Sequence, residues 1–255
     1  MRVAVILRQV PDVVEELVIA EDGRSLSEDD VRYVTNELDD CALEQALVLK
    51  GRHGARVTAF GVGGIEARDA LATSVAKGAD EAVFVPLDFA ERGDSHRLAA
   101  HLVTSLREGA YNLVLTGVQA PDEVDGSLGA ILASSLGMPY VGGLVAADVD
   151  ANGPKAVVRK EYAGGRCGVM EIALPAVLGI QAAEQPPRYV PVSKVMQTKK
   201  TLQAREMTAP VPEVRGTRIA RLSKPETGAR AKMLEGDAGA VATAIAGLLK
   251  ERGLL

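Results

Sequence analysis

The sequence predicts an α/β protein built on a doubly wound parallel sheet, with antiparallel edge strands and an extended C-terminal arm that ends in a helix. Three observations predict it. Strand-like and helix-like patterns alternate from the start of the chain to Pro139, the order that sets a parallel sheet between two layers of helices. The first strand candidate, Val3-Ala4-Val5-Ile6-Leu7, is an unbroken apolar run, as befits a strand covered on both faces. After Pro139 the patterns become strand-only, and from Thr198 to Arg230 they lapse into a polar stretch punctuated by Pro210, Pro212 and Pro225.

Taken in order, the apolar opening strand leads into Leu17-Val18-Ile19 and a Glu21-Asp22-Gly23 turn, expected to form a small surface hairpin. Asn36 reads as a helix cap with Asp39 in the first turn, where negative charge is favourable. Leu38, Cys41, Ala42, Ala46 and Leu49 recur at helical spacing, and Gly51 is expected to end the helix. A second strand over 56–60 precedes Gly61-Val62-Gly63-Gly64 and a helix through Ala67, Leu71, Val75 and Ala76. A third strand covers 82–85, then Asp94 or Ser95 caps a helix through Leu98, Leu102 and Leu106. A fourth strand covers 112–116, a loop 117–125, and a helix 126–136 that Gly137 and Pro139 end. Segments 144–149, 156–161, 168–174 and 177–180 are expected to be antiparallel strands at a sheet edge or in a small second sheet. Residues 238–249 read as an amphipathic helix with Val241, Ile245, Leu248 and Leu249 on one face. The resulting division is a domain over 1–198 and an arm with helix over 199–255.

Composition narrows the function classes. The 255 residues carry a net charge of −5, with 47% hydrophobic and only 3% aromatic side chains. An acidic balance argues against nucleic acid as partner. The apolar opening is too short for a signal peptide, and no stretch approaches the roughly 20 apolar residues of a membrane span, so the chain is not expected to insert in a membrane. Cys41 and Cys167 form no C-x-x-C pair, and a reduced, cytoplasmic setting is expected.

A doubly wound sheet binds ligands beyond the carboxyl ends of its strands, where strand order reverses. Three segments fall there: Ile6 to Val10, Gly61 to Gly64, and Gly117 to Gly129. Gly126, Ser127 and Gly129 at a helix start make the third the best phosphate cradle. The acidic Asp122, Glu123 and Asp125 beside it are expected to face solvent, cap the helix or meet ribose hydroxyls. The catalytic inventory is thin. His96 and His101, five residues apart on one helix, do not form a metal pair. Cys41 reads as a small core residue, and Cys167 has only Arg166 as a basic neighbour. The chain reads as a binding module rather than an enzyme, with no catalytic or metal residues assigned.

A further stretch carries a signature. Val157-Val158-Arg159-Lys160-Glu161-Tyr162-Ala163-Gly164-Gly165 closes at Leu174-Pro175-Ala176-Val177 and continues to Pro187-Arg188-Tyr189. Its order and spacing resemble the β subunit of electron-transfer flavoproteins. Other segments extend the resemblance: Arg8-Gln9-Val10-Pro11-Asp12 is similar to the family's basic-x-Val-Pro-Asp loop, and Asn36-Glu37-Leu38-Asp39 to its Asn-Pro-Phe-Asp turn. Gly78-Ala79-Asp80 resembles its Met-Gly-Ala-Asp turn, and Gly117-Val118-Gln119-Ala120-Pro121-Asp122 its Gly-x-Gln-Ala-x-Asp nucleotide loop. Arg188-Tyr189, Met196, Lys199 and Lys200 resemble its Pro-Arg-Tyr…Met-x-x-Lys-Lys segment.

The resemblance implies an adenine-nucleotide α-hydrolase-like fold and a non-catalytic electron carrier. Such a chain pairs with an α subunit that holds most of the FAD, and binds AMP, or a second FAD in bifurcating members. It takes electrons from flavin dehydrogenases and delivers them to a quinone oxidoreductase. The family's nucleotide contacts fall here on Ile6, Asn36, Glu37, Leu38, Asp39, Val62, Gln119, Ala120, Pro121, Asp122, Glu123, Val124, Asp125, Gly126, Ser127, Leu128, Gly129 and Ala130. Its partner-recognition segment falls on Arg188, Tyr189, Val190, Pro191, Val192, Ser193, Lys194, Val195, Met196 and Gln197, with Val192 at the anchor position. The arm would clasp the α subunit. Departures include Glu37 and Leu38 for Pro and Phe, Ser127 for the usual Gln, and Lys160 for an Arg near the flavin. Two other readings of this sheet type remain: an adenine-nucleotide hydrolase or ligase, and a homodimeric nucleotide-sensing stress protein.

Overall fold

The structure, a computed structural model, describes residues 1–27, 29–87, 94–123, 126–149, 153–207, 216, 219–225, 228, 231 and 233–255. Val124 and Asp125 of the expected nucleotide loop, and Pro210 and Pro212 of the arm, lie outside the described residues. The described chain divides into two compact units, Met1–Leu222 and Ser223–Leu255.

The first unit is a mixed sheet flanked by helices. Its elements are β1 (Arg2–Pro11), β2 (Tyr33–Thr35), α1 (Glu37–His53), β3 (Arg56–Gly63), α2 (Ala67–Lys77) and β4 (Glu81–Pro86). They continue with α3 (Ser95–Gly109), β5 (Leu113–Gly117), α4 (Leu128–Leu136), β6 (Tyr140–Val149), β7 (Lys155–Tyr162), β8 (Arg166–Ala173), β9 (Ala176–Ile180), α5 (Val192–Thr201) and β10 (Arg205–Glu206). Strand order is β10-β4-β3-β1-β5-β9-β6-β7-β8, with β2 paired to β1 alone. Neighbours from β10 to β6 run parallel, and β6-β7 and β7-β8 are antiparallel.

Alternation along β1 sorts its side chains into two cores. Val3, Val5 and Leu7 pack with Leu43, Leu47 and Leu71 of α1 and α2. Ala4 and Ile6 pack with Leu98, Leu102 and Leu132 of α3 and α4. The doubly wound α/β prediction therefore holds, with a helical layer on each face. The order reverses at β1: the chain moves outward through β3 and β4, then returns to lay β5 on the other side.

Several details differ from the sequence reading. β9 is not an edge strand. It lies inside the sheet, parallel to both β5 and β6. The reason is visible in Ala176-Val177-Leu178-Gly179-Ile180, all buried, a fully apolar run of the kind that a two-sided parallel strand needs. Only β7 and β8 form the antiparallel edge. α1 runs two residues past Gly51 to His53, and Gly54, whose φ of 64° and N–H bond to Lys50 O (2.9 Å) make the left-handed cap, ends it. α4 begins at Leu128 rather than residue 126. The hairpin after β1 forms as expected, with Ile19 bridged to Leu26.

The 198/199 boundary expected from sequence lies inside the first unit. Arg205–Glu206 extend the sheet beside β4, Met207 is buried in the α3–α4 core, and Leu222 N donates to Gly23 O (2.8 Å). Leu202 and Ala204 pack against the α1–α2 core. A polar segment with only a few apolar positions can still add an edge strand, because β pairing uses backbone groups. The second unit contains α6 (Ala238–Glu251), capped by Asp237, whose carboxylate accepts from Ala240 N at 2.8 Å.

Candidate functional site: a crevice braced by a buried arginine

The carboxyl ends of β1, β3 and β5 meet where strand order reverses. At their centre is Arg8, a charged residue in an otherwise apolar strand and only 5% exposed. A guanidinium there is tolerable only if fully paired. Its backbone N–H (2.8 Å) and Nε (2.9 Å) donate to Asp39 Oδ2, and its Nη2 donates to Asp39 Oδ1 (2.9 Å) and to Gly117 O (3.2 Å). Its Nη1 lies 2.6 Å from Glu123 Oε1. Burial works against the arginine's charge, but Asp39 and Glu123 outweigh it and hold the group protonated.

The two carboxylates are held from other sides as well. Gly117 N donates to Asp39 Oδ1 (2.8 Å). Ser95 Oγ at the start of α3 donates to Glu123 Oε1 (3.1 Å), and Ala120 N donates to Glu123 Oε2 (3.2 Å). One arginine thus joins β1, α1, β5, the 117–123 loop and the α3 N-terminus. Gly117 is obligatory here: a Cβ would lie 2.6 Å from Asp39 Oδ1 and 2.7 Å from the Leu38 backbone.

The loop is shaped by the same contacts. Asn36 occupies the cap position of α1 but makes no capping bond; its side-chain amide donates to Gln119 O (2.9 Å). Gly126 has a φ of 61°, and α4 begins after Ser127 without a side-chain cap. An uncapped helix start behind a left-handed glycine suits an anionic group, with backbone N–H groups as donors. Thr116 Oγ1, fully buried at the end of β5, has no hydrogen-bond partner among the described residues. A cavity of about 540 Å³ opens beside Val10, Pro11, Asn36, Leu38, Gln119 and Ala120, within the size range of small-molecule sites. The α4 start and Thr116 Oγ1 offer places for anionic and polar groups, whereas the cavity is lined mainly by apolar side chains together with Asp12 and Glu37.

The structure gathers most of the sequence-derived residues at one end of the sheet. Ile6 and Val62 are there but wholly packed in the α3–α4 core. Asp39 is buried with both oxygens engaged by Arg8 and Gly117, so its side chain braces the crevice rather than lining it. Glu37 and Ala130 are exposed, whereas Ala120, Leu128 and Gly129 are buried. Glu123 corrects an expectation: it points inward to Arg8, not to solvent, because the buried cation needs a second anion. Asp122 is half-buried. Burial pushes its carboxyl up to about 6, against the pull of Arg8.

Arg8 falls in the expected ligand segment Ile6 to Val10, but its role as a buried brace was not read from the sequence. The signal for Arg8 was available: a basic residue in an apolar strand next to a loop of acids. The signature hairpin β7–β8 extends from the far edge, with Tyr162 and Val169 exposed and Lys160 Nζ 5.8 Å from the Tyr162 ring centre. The segment after β9 runs from Arg188, bound to Glu44 of α1, to the exposed helix α5.

A mostly parallel sheet covered by helices on both faces, with its crevice at the reversal of strand order, defines the doubly wound α/β class. The Electron transfer flavoprotein domain model matches residues 24–214. The chain belongs to the electron transfer flavoprotein family. The electron transfer flavoprotein subunit beta of Methylophilus methylotrophus is 32% identical, covering 98% of this chain and 98% of that protein. The subunit of the same name from Clostridium acetobutylicum is 34% identical over 76% of this chain and 74% of its own length. The one from Homo sapiens is 29% identical over 78% of each. No described helix is long and apolar enough to cross a membrane.

Proposed function

We propose that this chain is the β subunit of a heterodimeric electron carrier, holding AMP in the crevice and completing the edge of an FAD site that lies mainly on an α subunit. The observation that carries the reading is the family match across 24–214, supported by the carboxyl ends of β1, β3 and β5 meeting where strand order reverses. The flavin supplies the redox chemistry when bound. This chain's residues orient and exclude. The N-terminal N–H groups of α4 and the 119–123 backbone would hold the nucleotide's phosphate and ribose. Arg8, Asp39 and Glu123 would keep that backbone in place and leave no net positive charge to draw in a polyphosphate.

The exposed segment from Arg188 to Gln197, with Tyr189 83% and Val192 70% exposed, would dock a flavin dehydrogenase. An apolar side chain entering a pocket is the usual centre of such an interface. The hairpin β7–β8 and the second unit would meet the α subunit, and a quinone oxidoreductase would take the electrons onward in the reduced cytoplasmic compartment. Co-expression with an α subunit of the family, followed by heat release and chromatography of bound cofactors, tests the reading. One FAD and one AMP per heterodimer support a simple carrier. Two FAD and no AMP would make it a bifurcating member, and ATP turnover by the isolated chain would favour a hydrolase instead.

A further inference from the structure

We propose that Glu44, in the middle of α1, is the positioning residue for the exposed segment 188–197. The inference rests on the reading that this segment docks a partner. Glu44 is 2% exposed, on the side of α1 away from the core residues Ala42, Ala46 and Leu49 and covered by Arg188. A carboxylate in that place requires a partner of opposite charge. Arg188 provides it through three donor groups: its backbone N–H to Oε2 (3.0 Å), its Nε to Oε1 (3.1 Å) and Oε2 (2.9 Å), and its Nη2 to Oε1 (2.7 Å). The guanidinium fork fixes direction as well as distance. The contact joins residues 144 apart in sequence.

Beyond this contact the segment continues into α5, which lies along α2. Helix α5 buries none of its ten residues. Its ion pair from Lys199 to Asp69 of α2 is exposed on both sides, and such pairs contribute little. The chain just before Arg188 is fixed to the same helix. Glu184 N donates to Gln45 Oε1 (3.2 Å), and Arg52 Nη2 donates to Glu184 Oε2 (2.7 Å). The 184–188 strap therefore lies on α1 with its last fixed point at Glu44, and the apolar side chains start immediately after it. Ordering a loop before it meets its partner removes an entropic cost from binding. Glu44 supplies that order by holding Arg188 against α1.

The test uses the flavin-loaded heterodimer. Amide hydrogen exchange in 188–197 should rise at least tenfold in Glu44→Gln, with flavin content and exchange in β1 and β5 unchanged. Glu44→Asp, which keeps the charge, should restore part of the protection. Unchanged exchange in 188–197, or a loosening spread equally through α1 and the sheet, would overturn the proposal. Should Glu44→Gln fail to fold, Arg188→Lys breaks the fork from the exposed side; the same local rise is expected, and its absence overturns the proposal equally. Val192→Asp, with the clamp intact, examines docking separately. If it leaves flavin reduction by the dehydrogenase unchanged while Glu44→Gln still loosens the segment, the docking reading fails and the positioning role stands.

Discussion

Arg8 and Asp39 are joined by a fork in which Nε and Nη2 of the arginine donate to the two oxygens of the aspartate, both at 2.9 Å, while the arginine's own backbone N–H adds a third bond at 2.8 Å. The pair lies at the point where strand order reverses. The start of α1, the loop after β5 and the start of α3 are each tied to one of these two side chains or to Glu123.

Loss of Arg8 leaves two buried carboxylates without their cation. Breaking a buried pair from one side costs about 3–5 kcal/mol, so Arg8→Met is expected to lower stability by that amount in urea denaturation. Arg8→Lys keeps the charge but not the fork and is expected to lose less. A variant as stable as the parent would show that the network is not the brace described.

Gly117→Ala tests the same centre sterically. The added methyl would meet Asp39 and the α1 backbone, and overpacking of this kind costs about 1–3 kcal/mol. The expected signature is a lower thermal midpoint together with weaker AMP retention in the heterodimer, because the loop that begins at Gly117 must shift.

Asp122 gives the crevice a pH dependence. Its folded-state pKa of about 6 lies above the unfolded carboxylate value. A raised pKa contributes stability that is complete below the unfolded value and is lost as pH rises through about 6. Asp122→Asn is therefore expected to gain stability over the parent as pH goes from 4 to 7.5, by about 1–2 kcal/mol after allowance for partial solvent screening. Paired denaturation curves at the two pH values measure it; a difference that stays constant with pH contradicts the assignment.

The sequence made the sheet legible because its information is local. Val3 to Leu7 and the helix pattern through Ala42 and Leu49 carry period and polarity in a short window. The placement of β9 was not legible, since an apolar run such as Ala176 to Ile180 states that it is buried but not between which neighbours. The loop from Gly117 towards Gly129 was legible, through its glycines, as a strand-to-helix connection at the reversal of strand order. The roles of Asp39, Glu123 and Glu44 were not: each pairs with an arginine at least 31 residues away. A carboxylate in a loop or helix looks the same in sequence whether it faces water or a buried cation. The buried Arg8 was the one residue whose strand position required such partners.

Val192→Asp places a charge at an exposed apolar tip that supports no core. Stability is expected to change by less than about 0.5 kcal/mol. The KM for a dehydrogenase partner should rise at least tenfold, while dithionite still reduces the flavin fully. Equal loss with both reductants would place the defect at the flavin instead.

The central claim is that this chain completes a flavin site with a second subunit. Sedimentation of the purified chain mixed with an FAD-loaded α subunit, detected at the flavin absorbance band, tests it most directly. The account predicts that flavin absorbance moves to the mass of a one-to-one heterodimer. A flavin boundary that never shifts from the mass of the α subunit alone, with this chain sedimenting separately, would contradict it.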